Sequence, residues 1–319
     1  MGARIHLYAR PSPTTTAYDP RIRRASGRRA VSESQRQQGV WRFHVPRQRL
    51  LLEQALAREA IRLAFAHHLT VAVALRGAAG RDGAALAGPR AEGRQRAAPR
   101  AARPRARPPA AAAWPGAALV RRDRLGLVVG SGGVLSHAPR RTQAALMLLD
   151  AIEPCGFCRL AVDSVFMMPH LGVLSTRDPV AADEVFWRDC LVPLATVAAP
   201  SAAPGARMPA GLSGRIVGPD GVWRVAVAGG DLAVVPLSPG RRASVELQPE
   251  RGGDLGAGPG RVVHREVEGG EVGLLLDCRG RPLRFPSGAA QARAMVARWL
   301  HAAGALPAGS AAAIRTAGG

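Results

Sequence analysis

The residues best suited to chemistry in this sequence lie in VVGSGGVLSHAP, Val128 to Pro139. Gly130, Gly132 and Gly133 carry no Cβ, so backbone amides there can approach a ligand closely. A helix beginning after them would offer its positive dipole end to phosphate or ribose. Ser131 and Ser136 are the hydrogen-bonding candidates beside such a ligand. Asp163, at the end of the next strand, could reach the same carboxyl edge of a sheet. A tight strand-to-helix turn without ligand is the alternative reading of these residues. Ser131 is not a hydrolase nucleophile, because that elbow needs glycine two residues earlier and Val129 stands there.

Other groups read as structure. Cys155-Gly-Phe-Cys158 has redox spacing, but its helix comes before the pair, so no dipole lowers the first thiol's pKa. Zinc would need Cys190 and His170 as further ligands. His67 and His68 end an amphipathic helix, where the dipole favours histidine without a catalytic task. Asp254-Leu-Gly-Ala-Gly-Pro-Gly spaces its glycines like a phosphate loop but sits among hairpins with no helix after it, and reads as a turn. No catalytic residue and no metal ligand is assigned.

The elements that must position the glycine segment follow from periodicity. Leu52, Leu56, Ala60, Leu63, Ala64 and His67 recur at helical spacing over 50–68, with Glu59 placed to pair with Arg62. TVAVAL, 70–75, alternates β-branched residues and reads as a strand. LGLVVG, from Leu125, is a buried strand, and Pro139 to Ile152 a helix burying Ala145, Leu148, Leu149 and Ile152. A strand near 160–162, a loop through MMPHLGVLS and a helix capped by Asp178 and opened by Pro179, running to about Leu191, continue the pattern. Small residues and proline make 198–209 a linker. Beyond it come short runs split by glycine turns, as in an antiparallel sheet, and a helix over about 289–301 burying Met295, Val296, Trp299 and Leu300.

ALAREAIRLAFAHH (55–68), GSGGVLSHAPRRTQAALMLLDAIEP, the strand through Asp163, MPHLGVLS and DCLVPLAT stand in the order and spacing of the MutL/GlmL family, which they resemble. VPLSPG, the 254–260 segment and GGEVGLLLDCRGRPL (269–283) resemble the C-terminal extension of its longer members. That family is encoded beside adenosylcobalamin-dependent glutamate mutase and is distinct from mismatch-repair MutL. The apolar pair, Gly132-Gly133, small residue and proline are similar to the adenosine motif of the acetate and sugar kinase, Hsc70 and actin superfamily.

The resemblance implies an α/β fold: a partial actin-like ATPase (ribonuclease H-like) domain over residues 49–199, a linker at 200–210 and a small, mostly antiparallel β domain over 211–303. It implies a chaperone or reactivating factor for a mutase of the glutamate mutase (methylaspartate mutase) type, with ATP and magnesium as cofactor. Gly130, Ser131, Gly132, Gly133, Ser136 and Asp163 would form the nucleotide side. The superfamily's Asp-x-Gly-Ser/Thr phosphate loop and first-domain carboxylate are absent from this sequence, so a truncated member with impaired hydrolysis is expected.

Charge separates the chain into unlike parts. Of the net +21, about +18 lies before Ser131, and every cation is arginine. Residues 1–48, the insert at about 77–120 and the tail at 304–319 mix Arg, Ala, Pro, Gly and Ser, a composition that cannot bury enough apolar surface to order itself. A reading-frame shift in GC-rich coding sequence would generate such stretches. An arginine-rich nucleic-acid-binding protein is the alternative function. The basic insert has only Trp114 as a stacking platform, so nucleic acid is not the expected partner. A cobalamin-binding subunit would carry Asp-x-His-x-x-Gly, which is missing. With no spanning apolar run and no secretory signal, the expected location is the cytoplasm, with four reduced thiols.

Overall fold

The computed structural model describes residues 4–9, 47–85, 120–202 and 209–306. The elements are β1 (Arg4–Ala9), α1 (Arg47–Ala85), β2 (Leu125–Ser131), α2 (Gly133–Ser136), α3 (Arg141–Ile152), β3 (Gly156–Asp163), α4 (Met168–Leu174), α5 (Pro179–Val185), β4 (Leu191–Ala199), β5 (Ser201–Ala202), β6 (Leu212–Gly218), β7 (Gly221–Val227), β8 (Leu232–Val235), β9 (Arg242–Pro249), β10 (Gly253–Asp254), β11 (Val263–Glu268), β12 (Gly273–Asp277) and α6 (Ala289–Ala302).

The fold is mixed α/β. A six-stranded sheet in the order β1-β2-β3-β4-β12-β8 is parallel only at β2–β3 and β4–β12. A four-stranded antiparallel sheet has the order β11-β9-β6-β7. Side chains alternate across each strand, so each face of the large sheet has its own cover. Val128, Cys158, Leu160, Val197 and Leu275 share a core with α1, α3 and α6. On the opposite face Phe157, Ala198, Leu274 and Leu276 meet the small sheet through Ile216, Val245 and Leu247. Val129 and Ala161 of that face lie instead against Leu171 and Phe186 of the α4–α5 region. Both β8 and β12 come from beyond the 200–210 linker, so strand pairing crosses it.

Several expectations change. The helix over 50–68 is present, but it runs on through TVAVAL to Ala85, so 70–75 is helix rather than strand. A helix already formed adds residues at little cost, and alternating valines do not stop it, whereas proline first appears at Pro89. Its packed face also differs. Gln54, Ile61, Phe65 and Leu69 are buried, while Leu52 and Leu56 are 59% and 61% exposed. The bulkier stripe faces α3, and Gln54 bonds Gln143 there at 3.0 Å. Glu59 and Arg62 do pair.

MMPHLGVLS contains helix α4 rather than a loop. α3 starts at Arg141, two residues after Pro139, and ends with Glu153 at φ 52°. Asp178 caps α5, accepting from the Ala181 amide at 2.9 Å, and a π turn over Phe186–Cys190 leads into β4. Part of the expected disordered start forms β1, and part of the expected insert forms the end of α1. The remaining residues of 1–48 and 77–120, and the tail from 307, lie outside the described residues.

Candidate functional site

β2 and β3 run parallel, which brings Ser131 and Asp163 side by side in register at their carboxyl ends. Ser131 Oγ donates to Asp163 Oδ2 over 3.4 Å, and both residues are buried. The carboxylate is further engaged. Oδ1 accepts the amides of Val165 at 3.3 Å and Met167 at 3.4 Å, and Oδ2 that of Met168 at 3.2 Å. Asp163 therefore anchors the turn at 164–167 and the start of α4 to the sheet, four donors meeting one buried acid.

The glycines have separate tasks. A Cβ on Gly130 would lie 2.7 Å from Leu135 Cδ1 and 2.8 Å from Leu148 Cδ2, so this glycine lets α2 and α3 close on β2. Gly132 has φ 129°, a conformation that a side chain resists. Its carbonyl accepts the amides of Leu135 and Ser136, and also the Ser136 hydroxyl at 3.0 Å. Above Gly133 the space is open, the nearest atom to a Cβ there being His137 Cδ2 at 3.8 Å.

Of the six candidate residues, Ser131, Ser136 and Asp163 are committed to internal hydrogen bonds. Gly133 is half-buried and presents backbone, Gly132 beneath it is buried, and the amides of Gly133 and Val134 precede the turn's first bond. That geometry fits contact with the flat side of a nucleoside. It leaves Asp163 no lone pair directed at magnesium.

The other polar centre lies at the opposite end of the large sheet, where β12 ends at Asp277. Arg279 Nε and one of its terminal nitrogens hold the two Asp277 oxygens at 2.9 Å each, and the same terminal nitrogen reaches Asp150 of α3 at 2.7 Å. Arg281 adds a bond to Asp277 at 2.6 Å, and the Arg279 guanidinium lies 5.0 Å from the Trp299 ring centroid. Beside this cluster Arg122 binds Glu153 at 2.8 Å, and Glu153 also accepts the Leu283 amide. Burial alone opposes ionisation of Asp277, but Arg279 and Arg281 overcome it and hold the carboxyl well below the usual range. Asp150, Asp277 and burial compete at Arg279, and the two carboxylates win, raising it. The signal in the sequence is Asp277-Cys-Arg-Gly-Arg281 at the end of an apolar strand, arginines two and four residues beyond an acid.

Among the described residues no cluster of His, Cys, Asp and Glu has the makings of a metal site. Burial pushes Cys158 and Cys278 up to about 12 and also raises Cys155 and Cys190. The Cys155–Cys158 pair thus lacks the activated thiol of a redox motif. In the 254–260 segment the Asp254 carboxylate accepts the amides of Gly256 and Gly258 at 2.6 and 2.9 Å, filling the concavity that an anion would need. No described helix is long and apolar enough to cross a membrane.

A family model described as MutL protein matches residues 26–190, just over half of the 319 residues. The chain belongs to the MutL protein family. The matched span contains the glycine turn, α3, β3, α4 and α5, and stops where β4 begins. β4, the four-stranded sheet and the Asp277–Arg279 cluster lie beyond it in this MutL protein. No curated protein and no solved structure matches the chain.

Proposed function

We propose that this MutL family protein is an accessory factor, a chaperone or reactivating factor for an adenosylcobalamin-dependent mutase of the glutamate mutase type, acting in the cytoplasm. On this reading 49–199 is a partial actin-like ATPase unit and 211–303 a β-rich extension. The observation carrying the proposal is the coincidence of the family match with a turn whose Gly133 face is open while the turn itself is held rigid from below. Gly132 and Gly133 would lie against the adenosine, with Gly130 shaping the turn. Ser131, Ser136 and Asp163 would act by positioning, fixing the strand ends and the 164–167 turn. ATP, if bound, would act through its binding energy, favouring one conformation of the chain, rather than through hydrolysis. Among the described residues none is poised to orient water at its γ-phosphate, so slow or absent hydrolysis is expected of this chain.

The test is reactivation. Glutamate mutase carrying an inert corrinoid is incubated with the full chain, ATP, magnesium and fresh adenosylcobalamin. Recovered mutase activity that requires the chain supports the proposal. Recovery no faster than without the chain, in the presence of demonstrated complex formation, would overturn it.

A further inference from the structure

α4 and α5 are seven residues each, well short of the roughly 12–15 at which a helix begins to hold itself in water, so packing must keep them. Yet each buries a single residue, Leu171 in α4 and Ala182 in α5. Leu171, with Phe186 of the π turn, covers Val129 and Ala161 of the large sheet, and the two helices touch each other. A helix turns by about 100° per residue, so the positions two before and two after an inward residue point outward. These are Pro169 and Val173 in α4, and Val180 and Glu184 in α5. Val173 and Val180 are 71% and 68% exposed, the highest values for any large apolar side chain among the described residues. Trp187 of the π turn is 52% exposed, and a Cβ on Gly172 would meet nothing within 4 Å, which leaves the α4 backbone bare beside Val173.

The turn before α4 extends this apolar face. Phe166 has φ 61°, a conformation that a bulky side chain resists, while Asp163 holds the amides of Val165, Met167 and Met168 around it. Val165, Phe166 and Met167 are exposed as a result. A strained turn that keeps apolar side chains in water, joined to two barely anchored helices, is the mark of a surface completed by another molecule.

Charge indicates what kind. Over 164–190 the acids are Asp178, Asp183, Glu184 and Asp189 and the cations only Arg177 and Arg188, in a chain of net +21. Arg188 bonds Asp189 at 2.9 Å, and Asp178 caps α5. Asp183 and Glu184 form no ion pair among the described residues, Glu184 acting on Arg188 only from a distance. Arg177, in the loop before α5, is the segment's one cation without an ion pair there.

We propose that α4, α5 and the π turn form a docking face for an amphipathic, basic helix of a partner protein. Its apolar stripe lies on Val173, Val180 and Trp187, and its lysines or arginines stand beside Asp183 and Glu184. An anionic membrane is disfavoured by the same two acids. None of these contact residues belongs to the glycine turn, so the docking face is independent of the nucleotide reading.

The experiment uses the full chain and a fluorescein-labelled helical peptide of about 18 residues, with leucine at i, i+3, i+4 and i+7 and lysine elsewhere, beside a counterpart with glutamate for lysine. Fluorescence anisotropy is expected to show saturable binding of the lysine peptide and about tenfold or more weaker binding of the glutamate one. Amide exchange over 168–185 should slow on binding. Val173→Gln with Val180→Gln removes apolar contact and should weaken the lysine peptide about tenfold or more. Asp183→Asn with Glu184→Gln removes charge and should weaken it about threefold or more. All four positions are exposed, so thermal midpoints should not change. No saturable binding, equal binding of the two peptides, or undiminished binding by either double variant would overturn the proposal. So would peptide-free protection of 168–185 by dimerisation in sedimentation runs, or flotation of the chain with phosphatidylcholine vesicles that the valine variant abolishes.

Discussion

Replacing Arg279 by methionine should cost about 3–5 kcal/mol of unfolding free energy. The arginine side chain is 1% exposed and binds both oxygens of the fully buried Asp277. Without it, Asp277 keeps only Arg281 among its charge partners, and Asp150 keeps Arg58 at 3.9 Å. Two carboxylates would then stand in low dielectric with a single close cation between them. Methionine roughly fills the volume over Trp299, so the loss reports charge more than packing. An exposed ion pair would be worth about 1 kcal/mol or less, which separates the two cases. Urea unfolding followed by circular dichroism at pH 7 is the assay, and the thermal midpoint should drop by roughly 10 °C. Asp277→Asn should also destabilise, and the double variant should lose less than the two single losses combined, because neither charge is then orphaned. A loss below about 1 kcal/mol for Arg279→Met, or strict additivity, would refute the reasoning.

Asp163→Ala should destabilise by about 1–3 kcal/mol and loosen α4, seen as faster amide exchange at Val165, Met167 and Met168, with Asp163→Asn milder because Oδ1 remains. Equal protection of those amides in Asp163→Ala would contradict the anchoring role. Asp277 has a folded-state pKa below its unfolded value near 3.9, so its contribution is fully present above about pH 4 and disappears as pH falls further. Urea titrations from pH 7 to 3 should show that acid loss, shallower in Asp277→Asn, and an identical slope would argue against it. The four buried thiols should resist Ellman's reagent at pH 8 until the protein unfolds. Rapid labelling of Cys155 and Cys158 in the native state would reopen a redox role.

Where one local pattern dominated, the structure was legible in the sequence. The α3 stripe, the Asp178-Pro179 start of α5, the α6 helix and the glycine turn all appear where residue types alone put them. β4 did not. The sequence reading ends a helix at about Leu191, starts a linker at 198 and gives no element to the residues between, yet Leu191–Ala199 is a central strand of the large sheet. Pro193 is tolerated there because the register with β3 shifts between Leu160 and Ala161, leaving a bulge beside it, and its carbonyl still accepts the Glu271 amide at 2.9 Å.

Nor could alternation alone assign β8 and β12 to the large sheet, since partner choice is a tertiary property. At the candidate site the sequence located the glycine turn and put Asp163 at a strand end, but not the parallel register that sets it beside Ser131. That Ser131, Ser136 and Asp163 spend their polar atoms inside the fold depends on distances that residue types do not carry. The Asp277–Arg279 cluster joins residues 150, 277 and 299, far apart along the chain, which is why the sequence reading passed over it.

Calorimetric titration of the full chain with adenosine and with ATP plus magnesium tests the central claim most directly. A turn that touches only the nucleoside side predicts comparable affinities for the two ligands, loss of both in Gly133→Leu, and no phosphate release. Strong preference for ATP with steady hydrolysis, or unchanged binding in Gly133→Leu, would contradict it.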